Sequence, residues 1–111
     1  MELKTPQGLL FGYAGARVHR PGQKAVVFIH GTGMDHTVWV LPSRYFARHG
    51  YNVLAPDLPG HGRSGGAPAA TIDAMADAVV AGMSAAGIEQ AALVGHSMGS
   101  LVALSAAGRY P

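Results

Sequence analysis

Three short, nearly uninterrupted apolar runs recur along the chain, and they constrain its fold more than any other feature. They are KAVVFIH at 24–30, YNVLAPD at 51–57 and QAALVGH at 90–96. None of the three shows the polar alternation of a strand that has one face in water. Such runs are typical of strands covered on both faces, as in a parallel sheet.

The segments between and after these runs favour helices. Pro42 falls in the first turns of one segment and Gly50 closes it, while Gly87 closes a segment whose apolar residues recur at i, i+3 and i+4. Three helices are predicted in this way, at 37–50, 71–87 and 98–110. Together with an early strand or hairpin at 8–18, the alternation predicts an α/β fold with a mostly parallel sheet flanked by helices.

In such sheets, ligands bind beyond the carboxyl ends of the strands. Three loops leave those ends in this chain: HGTGMDH at 30–36, PDLPGHGRSGG at 56–66 and GHSMG at 95–99. These are also the most unusual stretches of the sequence, so we expect the functional residues to lie in them.

Length and composition exclude several classes of protein. A chain of 111 residues that is 49% hydrophobic and 13% charged is expected to form one domain with a buried core. The absence of cysteine rules out disulfides and thiolate catalysis. The cations look isolated along the chain, so no nucleic-acid partner is predicted. No apolar stretch is long enough for a signal segment or a membrane span, which favours a cytoplasmic location.

The stretch Gly95-His96-Ser97-Met98-Gly99 matches the pattern G-x-S-x-G at the junction of a predicted strand and a predicted helix. At such a junction a sharp, strained turn projects the serine Oγ as a nucleophile. The two glycines are expected to avoid collisions where strand and helix approach. The backbone N–H of Met98, at the helix N-terminus, is a candidate oxyanion donor.

The stretch HGTG at 30–33 follows the first apolar run. Gly31 and Gly33 allow the backbone after His30 to curl over the edge of the sheet. The backbone N–H of Thr32 is then the candidate for a second oxyanion donor, and a tetrahedral oxyanion needs at least two.

HGTGMDHTVW, PDLPGHGRS and GHSMGS, in that order, resemble the α/β-hydrolase superfamily, in particular its esterase, lactonase and C–C hydrolase branch. The resemblance covers about residue 8 to 111. It implies a serine hydrolase that cleaves an ester or related carbonyl bond through an acyl-enzyme, with Ser97 as nucleophile and Thr32 and Met98 as oxyanion donors. It implies a small ester-like substrate and no cofactor. Serine at this position argues against haloalkane dehalogenases and epoxide hydrolases, which carry Asp there.

The same resemblance implies a structural role for the motif D-x-x-G-x-G-x-S, whose members brace the second loop. They are Asp57, Gly60, Gly62 and Ser64. Residues 60–65 also match a dinucleotide-binding pattern, but Pro59 precedes them and no helix opens there, so that reading is rejected. We interpret Asp35 as structural or substrate-facing and Trp39 as packing behind the first loop.

No metal site is predicted, because the six histidines show no helical pairing and no cysteine joins them. His96 adjoins Ser97, but neighbouring side chains on such a turn point apart, so it is a poor candidate for the base.

A serine nucleophile needs a base and an orienting acid. In the family that this chain resembles, both follow the serine, yet no Asp, Glu or His follows Ser97 in this sequence. We therefore expect residues 1–111 to be the N-terminal portion of a hydrolase domain, inactive alone, with the later strands, the cap and the catalytic His outside it. The alternative is a non-catalytic remnant or binding module. The third strand, lacking a neighbour on one side, is expected to promote self-association.

Overall fold

The computed structural model describes the whole chain, Met1 to Pro111, as five strands and three α-helices. In chain order these are β1 (Glu2–Thr5), β2 (Gly8–Tyr13), β3 (Ala25–Ile29), α1 (Val40–Arg48), β4 (Asn52–Pro56), α2 (Ile72–Ala85), β5 (Ala92–Gly95) and α3 (Met98–Arg109). A short 3₁₀ turn, His36–Trp39, leads into α1. The strands form one sheet in the order β1-β2-β4-β3-β5.

The predicted α/β fold is confirmed, and its parallel part comprises β4, β3 and β5. Val26 of β3 lies opposite Val53 of β4 on one side and Ala92 of β5 on the other. The hairpin β1–β2 adds antiparallel ladders, with Tyr13 of β2 opposite Ala55 of β4. The sheet as a whole is therefore mixed.

The early hairpin lies further towards the N-terminus than predicted. β2 occupies the first half of the range 8–18, and it pairs with β1, whose sequence ELKT gives no strand signal. Residues 14–24 form a loop in place of a second strand. A single buried side chain, Leu3, anchors β1 to the core, which is too little pattern to recognise in a four-residue strand.

The core lies on both faces of the sheet. All five residues of β3 are buried, as the absence of polar alternation predicts. Val27 and Ile29 pack with α2 and α3, whereas Val26 and Phe28 belong to a smaller cluster on the side of α1. Alternate side chains of one strand therefore serve two layers, which fixes β3 in the centre of the domain.

The helix ends are set by local polar groups and turns. Thr71 caps α2, its Oγ1 accepting from the Ala74 N–H at 3.0 Å. The first predicted helix begins as a 3₁₀ turn, because Asp35 accepts from the Thr37 N–H there, and becomes α-helical only at Val40. Pro42 lies in the first turn of α1, where its missing N–H costs no hydrogen bond.

β5 forms one flank of the sheet. It pairs with β3 alone, and Ala92 and Val94, which share one face of the sheet, are exposed. The strand that ends at the G-x-S-x-G motif is therefore an edge strand in this chain, as the sequence predicted.

Candidate active site at the carboxyl edge of the sheet

Ser97 occupies the turn between β5 and α3 in a conformation that non-glycine residues rarely adopt. Its φ is 57° and its ψ is −120°. Only one other non-glycine residue, Ala16, has a positive φ. The side chain is exposed and its Oγ forms no hydrogen bond within the chain. Strain of this kind is found at functional sites where the surrounding packing enforces it.

The packing that enforces the turn is a close approach of α3 to β3 and β5. A Cβ added to Gly95 would lie 2.2 Å from the Gly99 carbonyl oxygen, and one added to Gly99 would lie 2.3 Å from the Ile29 carbonyl oxygen. Both obstacles are backbone atoms, which cannot rotate away. A side chain at either position would therefore collide with backbone, and glycine fits both.

The loop after β3 lies directly against this turn. A Cβ on Gly31 would lie 3.1 Å from the His96 carbonyl oxygen and 3.2 Å from the Ser97 Cβ. Next to it, the Thr32 hydroxyl donates to the Met98 thioether sulfur at 3.1 Å. The structure thus brings together three predicted site residues that are separated by up to 66 positions in the sequence.

The two backbone groups singled out from the sequence are both unused donors. Neither the Thr32 N–H nor the Met98 N–H donates a hydrogen bond within the chain. Met98 is the first residue of α3, and its N–H carries the positive end of that helix's dipole. Two free donors therefore lie on the segments that meet at the serine turn: Met98 directly follows Ser97, and Thr32 directly follows Gly31, which packs against Ser97.

His30 fastens the first loop to the second. It is fully buried, its Nε2 accepts from the Leu58 N–H at 3.0 Å, and its Nδ1 lies 2.8 Å from the Gly31 carbonyl oxygen. Because Nε2 accepts, Nδ1 carries the proton and donates. Burial lowers the pKa of His30 below its usual value of 6.5, which keeps the ring neutral. The ring is therefore a structural link, since both of its nitrogens are already bonded.

Asp57 braces the second loop. Its buried carboxylate accepts from the His36 N–H at 2.6 Å, from the His36 Nδ1 at 2.9 Å and from the Arg63 N–H at 2.9 Å. The hydroxyl of Ser64 donates to the Asp57 carbonyl oxygen and accepts from the Phe11 N–H at 3.0 Å. These bonds join the loop to both the first loop and β2.

The glycines of this motif are also explained by contacts. A Cβ on Gly62 would lie 2.4 Å from the Asp57 carboxylate, and one on Gly60 would lie 2.6 Å from the backbone nitrogen of Pro68. Sequence reasoning missed His36 as the main partner of Asp57. The two residues are 21 positions apart, and no motif spacing connects them.

Asp35, His36 and Asp57 place their side-chain oxygen and nitrogen atoms within 4.8 Å of one another. The Asp57 Oδ1 and the Asp35 Oδ1 are already acceptors, and the Thr37 hydroxyl and N–H that donate to Asp35 lower the pKa of its carboxyl group. Both carboxylates therefore accept hydrogen bonds from protein donors, Asp35 from Thr37 and Asp57 from His36 and Arg63.

The other predicted residues lie near the site without touching the serine. His61 packs against His30 with ring centroids 5.2 Å apart, and Trp39 stacks on Phe28 at 4.9 Å. The side chain of His96 is exposed and forms no hydrogen bond. No histidine in the chain is hydrogen-bonded to the Ser97 Oγ.

A large cavity lies elsewhere. A groove of about 1130 Å³ runs between α2 and α3 beneath the free side of β5, and Met83, Leu93, Leu104 and Tyr110 are among its lining residues. We call it the α2–α3 groove. Ser97, Thr32 and Met98 do not line it. The candidate site at the serine turn and this groove are therefore separate features of the surface.

None of the helices has the length and apolar character needed to cross a membrane.

Comparison with known proteins places this geometry in a family. The profile of the alpha/beta hydrolase fold matches residues 24–111. The dihydrolipoyllysine-residue acetyltransferase component of the acetoin cleaving system of Cupriavidus necator is 47% identical over 83 residues, which cover 74% of this chain and 22% of that protein. The (E)-2-((N-methylformamido)methylene)succinate hydrolase of Acinetobacter baylyi is 37% identical over 78 residues, 69% of this chain and 29% of the relative.

Among solved structures, a membrane phospholipase A described as a bacterial virulence factor superposes with a TM-score of 0.89 at 26% identity. The match covers 100% of this chain and 35% of that one. The chain therefore spans about a quarter of the curated relatives and a third of the solved structure. The family profile spans most of the chain and the superposition covers all of it, so the chain belongs to the alpha/beta hydrolase fold family.

Proposed function

We propose that this chain carries the nucleophile and the oxyanion donors of a serine hydrolase that cleaves an ester or related carbonyl bond. The reaction begins when the Ser97 Oγ attacks the substrate carbonyl carbon and forms a tetrahedral oxyanion. Loss of the leaving group gives an acyl-enzyme, which water then hydrolyses. The observation that carries this proposal is the conformation of Ser97, with φ 57° and an exposed Oγ that forms no hydrogen bond within the chain.

The proposed oxyanion donors are the N–H groups of Thr32 and Met98. Preorganised donors aimed at the developing charge each contribute about 3–4 kcal/mol in kcat, because they need no rearrangement during the reaction. The contact of Gly31 with the turn supports this assignment, since it holds the two loops at a fixed separation.

The proposal requires a base and an acid that this sequence does not supply. No histidine is bonded to the Ser97 Oγ, and no Asp, Glu or His follows it in the sequence. We therefore infer that another segment provides both groups in the active enzyme, and that the isolated 111-residue chain is not a competent catalyst. Substrate choice would then also depend on residues outside this chain.

The hydrolysis of p-nitrophenyl acetate tests the inference that the isolated chain is not a competent catalyst. We expect purified chain and its Ser97→Ala variant to hydrolyse the ester at the same slow rate. Turnover by the unmodified chain that depends on Ser97 and approaches the usual enzymatic value of about 10 s⁻¹ would contradict it.

The coding DNA beyond the codon for Pro111 tests the inference that another segment provides the base and the acid. An open frame that encodes a downstream acid and histidine supports a serine hydrolase. In that longer product, Ser97→Ala is expected to lower kcat by up to about a million-fold, while Ser84→Ala, an exposed serine on α2, leaves it unchanged.

A stop codon after Pro111 would favour the second candidate, a non-catalytic remnant or binding module. The observation in its favour is that the histidine side chains with hydrogen bonds all bond to groups other than Ser97, because a nucleophile without a base has no activated form.

A further inference from the structure

A second concave surface lies at the opposite edge of the sheet from Ser97. It is a cleft of about 470 Å³ near the amino end of β4, between the loop after β2 and the end of α1. We call it the arginine cleft. Its lining residues are Ala16, Arg17, Val18, Arg20, Gln23, Ala47, Arg48, Gly50 and Tyr51. Three of them are arginines and none is acidic.

The loop that forms one wall is held firmly against α1. Gly15 has a φ of 73°, and a Cβ on it would lie 2.5 Å from the Ser43 carbonyl oxygen and 2.7 Å from the Ala47 Cβ. The next residue, Ala16, also has a positive φ, of 64°. The chain therefore turns sharply where it meets the helix, and the turn brings Arg17 to the cleft that Arg48 of α1 also lines.

The far end of the same loop is tied to β4. The Arg20 N–H donates to the Asn52 side-chain oxygen at 2.8 Å, and the Asn52 side-chain amide donates to the Arg20 carbonyl oxygen at 2.8 Å. The His19 Nε2 lies 2.7 Å from the Val53 carbonyl oxygen. These bonds use the backbone of Arg20 and leave its guanidinium group uncommitted.

The positive charge of the cleft is not neutralised within the chain. All the ion pairs of the structure lie elsewhere, between His36 and Asp57 and between Arg109 and the acids of α2. Asp35 is the only acid between positions 17 and 48, and it lies in the loop at the carboxyl end of β3. The same stretch holds five of the eight cationic side chains: Arg17, Arg20, Lys24, Arg44 and Arg48.

We propose that the arginine cleft binds a small molecule that bears phosphate groups. Guanidinium groups present a planar fork of donors that matches a phosphate in a bidentate manner. The volume falls within the range of small-molecule sites, about 300–1000 Å³, and Ala47 and Tyr51 supply apolar lining beside the charges. A concave cleft of this size favours a compact anion over a polynucleotide, which needs an extended track of cations. The proposal does not depend on the hydrolase activity.

Calorimetric titration of the 111-residue chain with inorganic pyrophosphate tests the proposal. We expect saturable binding, weakened about tenfold by each of Arg17→Gln, Arg20→Gln and Arg48→Gln. Arg44→Gln is the matched control, because Arg44 is an exposed arginine of α1 that does not line the cleft, and it should change the affinity less than twofold.

Arg48 lies in the last turn of α1, so its loss also affects the helix end. Arg48→Lys keeps the charge and the fold but loses the bidentate fork. It is expected to melt like the unmodified chain and still to bind pyrophosphate several-fold more weakly.

Three outcomes would overturn the proposal: no binding of pyrophosphate at millimolar concentration, equal weakening by Arg44→Gln, or binding unchanged in all three cleft variants. A fourth is binding to a short DNA duplex or to phosphatidylcholine–phosphatidylglycerol vesicles that excess pyrophosphate does not displace. That result would mean that the arginines bind an extended anionic surface and not a small phosphate-bearing molecule.

Discussion

The carboxyl edge of the sheet and the outer flank of β5 differ sharply, although they meet at Gly95. At the carboxyl edge, the buried side chains of His30 and Asp57 join the loops by hydrogen bonds. The backbone of α3 there is in contact with that of β3 and β5. On the flank, Val94, Leu101 and Leu104 are exposed, and Leu104 lines the α2–α3 groove. Contacts between β3, β5 and α3 hold the serine turn, whereas β5 has no strand neighbour on its free side.

Gly99→Ala is expected to have the largest effect, because it places a Cβ 2.3 Å from a backbone carbonyl of β3. Either α3 or β3 must move, which should cost about 4 kcal/mol of unfolding free energy and remove most of the cooperative transition. Urea unfolding followed by circular dichroism measures it.

Gly108→Ala is the matched control in the same helix, where a Cβ meets no atom within 4 Å. It should stabilise the chain by about 0.5–1 kcal/mol. Equal effects of the two substitutions would show that close packing at the turn is not what holds α3 in place.

Asp57→Asn is expected to cost about 2–3 kcal/mol of unfolding free energy. The amide cannot accept at both positions, so a partly buried N–H of His36 or Arg63 loses its partner, and the buried carboxylate site is no longer matched to its donors. The same urea experiment measures it, with Glu89→Gln as the control, since Glu89 is exposed and forms no ion pair. If Asp57→Asn lowers the unfolding free energy no more than Glu89→Gln does, the hydrogen bonds of Asp57 do not stabilise the carboxyl edge.

Acid is expected to destabilise the chain in part through His30. Burial lowers its pKa in the folded state, while the unfolded chain titrates near 6.5. The contribution to stability is therefore complete above about pH 6.5 and is lost as the pH falls through the folded-state pKa.

Urea midpoints measured across this range should decline less steeply in His30→Gln, whose side-chain oxygen can still accept from Leu58. His49→Gln, an exposed control, should keep the slope of the unmodified chain. An unchanged slope in the His30 variant would contradict the prediction.

A polar substitution on the flank should reduce self-association and hardly change the unfolding free energy. We propose that the free side of β5 and the α2–α3 groove promote self-association, because an uncovered edge strand offers unpaired backbone groups beside apolar surface. Leu104 is 71% exposed, so Leu104→Lys should alter the unfolding free energy by less than about 0.5 kcal/mol and yet raise the monomer fraction in sedimentation velocity.

Leu41→Lys provides the comparison on the other face, where a leucine is 78% exposed on α1 away from the groove. If both variants, or neither, raise the monomer fraction, the flank has no special role in association.

Much of the carboxyl edge could be predicted from the sequence, because turns and close approaches leave local signatures. The glycines at 95 and 99 indicate the tight contact of α3, and the uninterrupted apolar run of β3 predicts a strand buried on both faces. The hairpin strand β1 could not be placed, since four residues with one buried side chain carry no period. His36 was missed for a related reason, because its bond to Asp57 depends on how two loops meet.

The arginine cleft could not be predicted from the sequence for the same reason. Along the chain Arg17, Arg20 and Arg48 look like isolated cations, yet they line one cleft once β2, α1 and β4 are assembled.

The sequence by itself determined the layer order, the turn at Ser97 and the identity of the two candidate donors, because backbone sterics and the periodicity of apolar residues act over a few neighbouring positions. Only the tertiary structure decided that the Thr32 and Met98 N–H groups are free together beside one serine, and that three distant arginines share a cleft. Those arrangements depend on contacts between segments far apart in the chain, which folding alone brings within reach.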